Sequence, residues 1–154
     1  MISERAEIVK ALEAGPLILR RLVRDLPDET IRRRPGEGEW AIVEVVAHLA
    51  DTEERTLDRT RRMLSEGEPF LEPYDPDALA IERAYLGMEM AGELDRFEAL
   101  RAELASLLTG AGDASWRRVG EHGEHGRITV QQLAAHTAGE DADHLAQIAR
   151  MIPA

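Results

Sequence analysis

Residues 40–50, WAIVEVVAHLA, open the segment whose reading decides the fold. From Trp40 onward, Val43, Val46, Ala47 and Ala50, continued by Leu57 and Leu64, recur at the three- and four-residue spacing of one helical face, as far as about Gly67. Pro69, Pro73 and Pro76 follow with Phe70 and Tyr74, and a short helix is expected around Ala78–Tyr85. This connection exceeds about twenty residues, whereas a hairpin between antiparallel neighbours needs only a few. Its length predicts that the second and third long helices run parallel, leaving the fourth antiparallel to the second.

Working outward, the first helix runs from Ser3 through Ile8, Ala11 and Leu12, then Leu19, Leu22, Val23 and Leu26. Gly15 and Pro16 fall between these groups and predict a helix in two pieces. Pro27 and Asp28 stop it, and Asp28 is expected to cap a short turn through Arg33. The third helix carries Leu94, Phe97, Leu100, Leu104, Leu107 and Leu108 on one face and stops at Gly110 and Gly112. The fourth starts at Thr129, whose hydroxyl forms a capping box with Gln132, and buries Val130, Leu133, Ala134, Leu145, Ile148 and Met151. Between Asp113 and Arg127, a glycine-rich stretch with Trp116 and two Glu-His-Gly triplets reads as a loop or strand-like turn. The expected architecture is one all-α domain over residues 1–154, a four-helix bundle with a long crossover between helices 2 and 3.

Composition narrows the function. The chain has 154 residues, with 19 basic against 30 acidic and a net charge of -11, so nothing favours nucleic acid or a membrane surface as partner. No apolar run approaches the roughly 18 residues of a membrane span, and Met1–Lys10 lacks a signal core; the expectation is a cytoplasmic protein. Cysteine is absent, which removes disulfides, thiolate ligands and a cysteine nucleophile together. Any chemistry must come from histidine, carboxylate or hydroxyl groups.

His48 lies about 9 Å inside the start of the second helix and His144 about 12 Å from the end of the fourth, at 1.5 Å per residue. In antiparallel helices these levels coincide. Glu140, one turn before His144 on the same face, completes a set of two histidines and a carboxylate that leaves positions open for water or substrate. His136 is the alternative ligand, although it lies eight residues from His144 and so about 80° around the helix. Glu44 stands four residues before His48 but reads as a first-turn acid. Asp51, Glu53 and Asp141 are candidates to orient ligands, His122 and His125 read as solvated loop residues, and Trp40 and Trp116 as core plugs at helix ends.

Gly38, Glu39, Trp40, Glu44, His48, Leu49, Asp51 and Glu53 resemble the second helix of the DinB and YfiT-like metalloenzyme superfamily. Gly126, Thr129, Val130, Asp141, His144, Leu145, Gln147 and Ile148 resemble its last helix. The likeness spans nearly the whole chain, including the proline of the first helix and the long crossover. It implies a four-helix bundle that often dimerises and holds a divalent metal, commonly zinc or nickel, on one histidine of the second helix and two of the fourth. It also implies, for some members, transfer of low-molecular-weight thiols or isomerisation with a thiol cofactor. His48 and His144 match; Glu140 stands where the family has the first fourth-helix histidine, and Ala41 where it has a serine cap. A carboxylate hardens such a site, bringing iron and manganese into range beside zinc and nickel. The expectation is a homodimeric, metal-dependent thiol transferase or hydrolase acting on a small molecule. The alternative is a metal-free helical binding or dimerisation module, with His144 simply paired to Glu140.

Overall fold

The computed structural model describes residues 2–154. Four long helices, α1 (Glu4–Val23), α3 (Ile42–Ser65), α5 (Met90–Thr109) and α7 (Val130–Met151), form the bundle. Short helices α2 (Asp28–Arg32), α4 (Pro76–Glu82) and α6 (Asp113–Trp116) lie in the connections. Around the bundle the order is α1, α5, α3, α7, with α1 also against α7. Side-chain pairs fix the directions. Arg20 meets Asp95 and Glu98 while Arg5 meets Asp113, so α1 and α5 are antiparallel. Asp51 meets Arg96 and Arg61 meets Glu103, so α3 and α5 are parallel, as the crossover length predicts. His48 faces His144 from the antiparallel α7.

The core divides in two along the bundle axis. One cluster gathers Leu12, Leu57, Met63, Leu104, Leu108 and Leu133, and the other Leu19, Val46, Leu49, Phe97 and Ile148. Between them, at the level of Gly15, Glu53, Arg101 and Asp141, the interior is polar. The expectation of a first helix in two pieces is overturned here: α1 is continuous through Pro16. Proline has no N–H for the carbonyl of Leu12, four residues back, and a chain break is the usual consequence. Here the orphaned Leu12 carbonyl accepts from Arg101 Nη1 at 2.8 Å, so the helix continues with its missing bond replaced.

Other starts and stops differ in detail. Asp28 is the first residue of α2 and not its cap, pairing with Arg32 at 2.9 Å. Ala41 offers α3 no side-chain oxygen, yet half the capping box survives, since Glu44 Oε1 accepts from the Ala41 N–H at 3.0 Å. The Arg34 guanidinium grips the same carboxylate at 2.8 and 3.0 Å. Burial pushes the Glu44 pKa up, but Arg34 and the Ala41 N–H outweigh it and hold the group below its ordinary value. At Thr129 both capping-box bonds form as expected, at 2.9 and 3.1 Å.

The stretch after α6 is more ordered than a loop. Strands β2 (Val119–His122) and β3 (Gly126–Thr129) pair antiparallel, and β1 (Phe70–Leu71) from the crossover joins β2 in parallel. The register sets Leu71 opposite His122, so this small sheet ties the crossover to the approach of α7. Gly123 permits it, because a Cβ there would lie 2.7 Å from the Pro73 ring. No helix among the described residues is long and apolar enough to cross a membrane.

Candidate functional site

A cleft of about 550 Å³ opens between α3, α7, the β2–β3 hairpin and crossover residues Pro73, Tyr74 and Pro76. At one end His48, 8% exposed, stands 4.9 Å ring to ring from both Trp40 and His144. Trp40, expected as a core plug, is therefore also a wall of the cleft. His48 Nδ1 is buried without a hydrogen-bond partner. Burial first, then the nearby His144, push the His48 pKa down to about 4 against the opposing pull of Asp51, so the ring is neutral at pH 7. Neutral imidazole is the form that binds metals.

His144 is oriented from behind. Its Nδ1 lies 2.9 Å from Gln147 Oε1, a contact that fixes the ring and leaves Nε2 turned to Glu140. That nitrogen lies 3.6 Å from Glu140 Oε2, while the other Glu140 oxygen lies 3.6 Å from His136 Nε2. Glu140 therefore stands between two imidazole nitrogens. The predicted set of His48, Glu140 and His144 is thus brought to one end of the cleft, with His136 adjoining. Among the described residues, no three His, Asp or Glu side chains already stand in position to hold a metal ion. Glu140, 45% exposed at its side chain, is the member still open to solvent.

The cleft floor holds a residue that sequence reasoning missed. Arg101 is 2% exposed, and all five of its N–H groups are satisfied. Nε and Nη2 grip Glu53 at 2.6 and 2.9 Å, Nη1 and Nη2 grip Asp141 at 2.5 and 2.9 Å, and Nη1 also reaches the Leu12 carbonyl. A Cβ on Gly15 would fall within 3.0 Å of Asp141 Oδ2, so glycine makes room for this cluster. Glu53 and Asp141, candidates to orient ligands, clamp Arg101 instead. Asp51 takes the Tyr85 hydroxyl at 2.5 Å, Arg83 at 2.8 Å and Arg96. Burial raises the Asp51 pKa, but the Tyr85 and Arg96 bonds outweigh it and lower the group overall. The signal for Arg101 was present: Leu94, Phe97, Arg101, Leu104 and Leu108 follow one helical stripe, with a charge at a core position.

His122 corrects another expectation, for it is buried in β2 and lines the cleft, while His125 is exposed in the turn as expected but borders the cleft as well. His122 is buried, and its Nδ1 accepts from the backbone N–H groups of Glu124 and His125 at 3.1 and 3.2 Å. Its ring lies 4.6 Å from His125, which lies 5.2 Å from His136. Pairing of β2 with β1, invisible to local periodicity, carries the hairpin over the cleft.

The sequence profile of the DinB superfamily matches residues 11–148. The chain belongs to the DinB superfamily. Among DinB relatives, an Oceanobacillus iheyensis protein bearing the name "Putative metal-dependent hydrolase" is 29% identical over 143 residues, 92% of this chain and 82% of that protein. In fold, this DinB chain is similar to YfiT from Bacillus subtilis, with a TM-score of 0.90 and 24% identity over 98% of this chain and 88% of the other. YfiT is described as "a probable metal-dependent hydrolase with an unusual four-helix bundle topology". A mycothiol-dependent maleylpyruvate isomerase shares the fold at a TM-score of 0.76 and 13% identity, over 96% of this chain and 63% of that one. At these identities the two structural likenesses establish fold alone.

Proposed function

We propose that this DinB-superfamily protein is a metal-dependent hydrolase of small molecules, with His48, Glu140 and His144 holding a divalent metal. Zinc or nickel is the first choice, and iron or manganese the next. The observation that carries the reading is the buried, unpartnered Nδ1 of a neutral His48 whose ring lies 4.9 Å from that of His144, with Glu140 set 3.6 Å from His144 Nε2. The metal-dependent naming of relatives supports it. When bound, the metal supplies Lewis acidity, making a water or an incoming low-molecular-weight thiol nucleophilic at neutral pH.

The chain's own residues do the rest. Trp40 packs its ring 4.9 Å from that of His48 and so helps to bury it. Gln147 holds the His144 ring, which is the usual service of a partner behind a ligating histidine. Arg101, through Glu53 and Asp141, locks α3 to α7 five residues beyond His48 and directly beside Glu140. His136, its Nε2 3.6 Å from Glu140 Oε1, holds that carboxylate from the side opposite His144. With no cysteine in the chain, any thiol arrives as a co-substrate. Homodimerisation and a cytoplasmic location are part of the same proposal.

Elemental analysis of untagged protein purified without chelator tests the assignment. Near-stoichiometric metal in the wild type that drops in His48→Ala and Glu140→Ala is expected. Protein that stays metal-free and refuses added zinc, nickel, iron and manganese overturns it in favour of a binding module, as does metal content indifferent to both substitutions.

A further inference from the structure

The end of the cleft away from His48 is walled by a cation that no carboxylate meets at salt-bridge distance. Arg59 stands eleven residues beyond His48 on α3, about 16 Å along the axis. Its Nη2 donates to the Glu72 carbonyl at 2.5 Å, and Glu72 follows Leu71, the sheet partner of His122. The sheet register therefore brings Arg59 and His122 to one wall of the cleft. Arg59 forms no salt bridge among the described residues, in a chain carrying 30 acids against 19 bases. The nearest acid is shared: the Glu72 carboxylate pairs with Arg62 at 3.2 Å and acts on Arg59 only through space, and Glu124 is exposed. Burial lowers the Arg59 pKa, as expected of a half-buried cation whose lost hydration is not fully replaced, yet a guanidinium keeps its charge throughout the physiological range.

His122 adds a neutral donor. Two backbone N–H groups saturate its Nδ1, so its proton sits on Nε2 in a ring that lines the cleft. The rest of the lining mixes Leu133, Pro73 and Tyr74 with the hydroxyls of Thr52, Thr56 and Thr137, while the buried carboxylates Glu53 and Asp141 are already taken by Arg101. We propose that Arg59 and His122 form an oxyanion subsite that receives the carboxylate or phosphate of an extended small-molecule substrate, whose other end reaches His48 and His144. A guanidinium fork beside a fixed N–H donor is the arrangement that recognises such groups. The subsite rests on reading the cleft as a substrate site, but it does not depend on a metal.

The test uses the full-length chain stripped of metal with chelator, titrated separately with inorganic phosphate and with glutarate while heteronuclear NMR follows the Glu124 and His125 amides and the Arg59 Nε–H. Saturable shifts with either probe are expected, and the tighter probe assigns the group as phosphate or carboxylate. Arg59→Met should weaken that binding about tenfold or more, the loss of a charge-assisted bond. Shifts that rise linearly without saturation for both probes overturn the proposal, as does unchanged affinity in folded Arg59→Met. If Arg59→Met does not fold, Arg59→Lys decides: losing the fork should reduce affinity severalfold, and unchanged affinity overturns the subsite. Metal content does not enter these readouts, so a chain that binds no metal can still pass, and a metal-loaded one can still fail.

Discussion

Replacing Gly15 by alanine opposes two effects of different sign. In a helix interior the change normally stabilises by about 1 kcal/mol, because alanine restricts the unfolded chain more than glycine. At this position the new Cβ would fall within 3.0 Å of Asp141 Oδ2 and 3.2 Å from Arg101 Nη1, neither at the free end of a solvated side chain. Asp141 must then withdraw from the guanidinium. Overpacking of a filled interior costs about 1–3 kcal/mol, and weakening a buried charge-assisted hydrogen bond about 1.5–3 kcal/mol. After the propensity gain, a net loss of about 2–4 kcal/mol is expected, or about 5–12 °C in Tm for a chain of this size. Gly139→Ala is the matched control, since nothing lies within 4 Å of a Cβ there and α7 is exposed at that point. It should stabilise by up to about 1 kcal/mol. Thermal melts followed by circular dichroism compare the two. If Gly15→Ala melts at or above the wild-type temperature, the close approach of Asp141 does not constrain α1 and the reasoning fails.

Arg101→Met, similar in length but uncharged, leaves Glu53 and Asp141 buried without a partner and should cost about 3–5 kcal/mol in urea unfolding; a loss below about 1 kcal/mol would contradict the buried clamp. In chelator-treated protein His48, with its folded pKa lowered to about 4, contributes stability that is present above its ordinary pKa of 6.5 and is lost as pH falls from 6.5 toward 4. The loss approaches about 3 kcal/mol, and His48→Gln should remove that part of the pH dependence; identical profiles in the two proteins would argue against a buried neutral ring. Thr129→Ala removes the acceptor for the Gln132 N–H at 3.1 Å and should destabilise by about 1 kcal/mol, checked by the shift in urea midpoint.

What the sequence discloses follows periodicity. The stripes of α3, α5 and α7 are regular enough to place those helices, and the length of the 66–89 connection suffices to make α3 and α5 parallel. From there the pairing of His48 with His144 follows by counting residues along antiparallel axes. What escapes depends on contacts between distant segments. The β1–β2 pairing joins residues about fifty apart, so nothing local shows that His122 and His125 reach the cleft. Pro16 reads as a break because its missing hydrogen bond is replaced by a side chain from α5, and no local signal reports that. Arg101 was visible as a charge in an apolar stripe, but only the three-dimensional arrangement of Glu53 and Asp141 shows why it is tolerated.

The position of that arginine bears on how the site is built. Arg101 belongs to α5, and its guanidinium bonds α1 through the Leu12 carbonyl, α3 through Glu53 and α7 through Asp141, so one side chain touches all four long helices at one level. Apolar clusters above and below it, rich in leucine, valine and alanine, are chemically uniform and by themselves discriminate weakly between neighbouring helical registers. A slip of one turn along α7 would move His144 about 5.4 Å relative to His48, enough to separate the pair, while still presenting apolar groups to apolar groups. The same slip would strand a buried guanidinium and two carboxylates, a penalty of several kcal/mol that no leucine contact imposes. Buried ion pairs contribute little net stability compared with apolar packing of the same volume, but they penalise the wrong arrangement heavily. The Gly15–Pro16 notch, the freed Leu12 carbonyl and the Arg101 clamp are therefore one device, whose effect is to hold α3 and α7 in the register that sets His48 against His144.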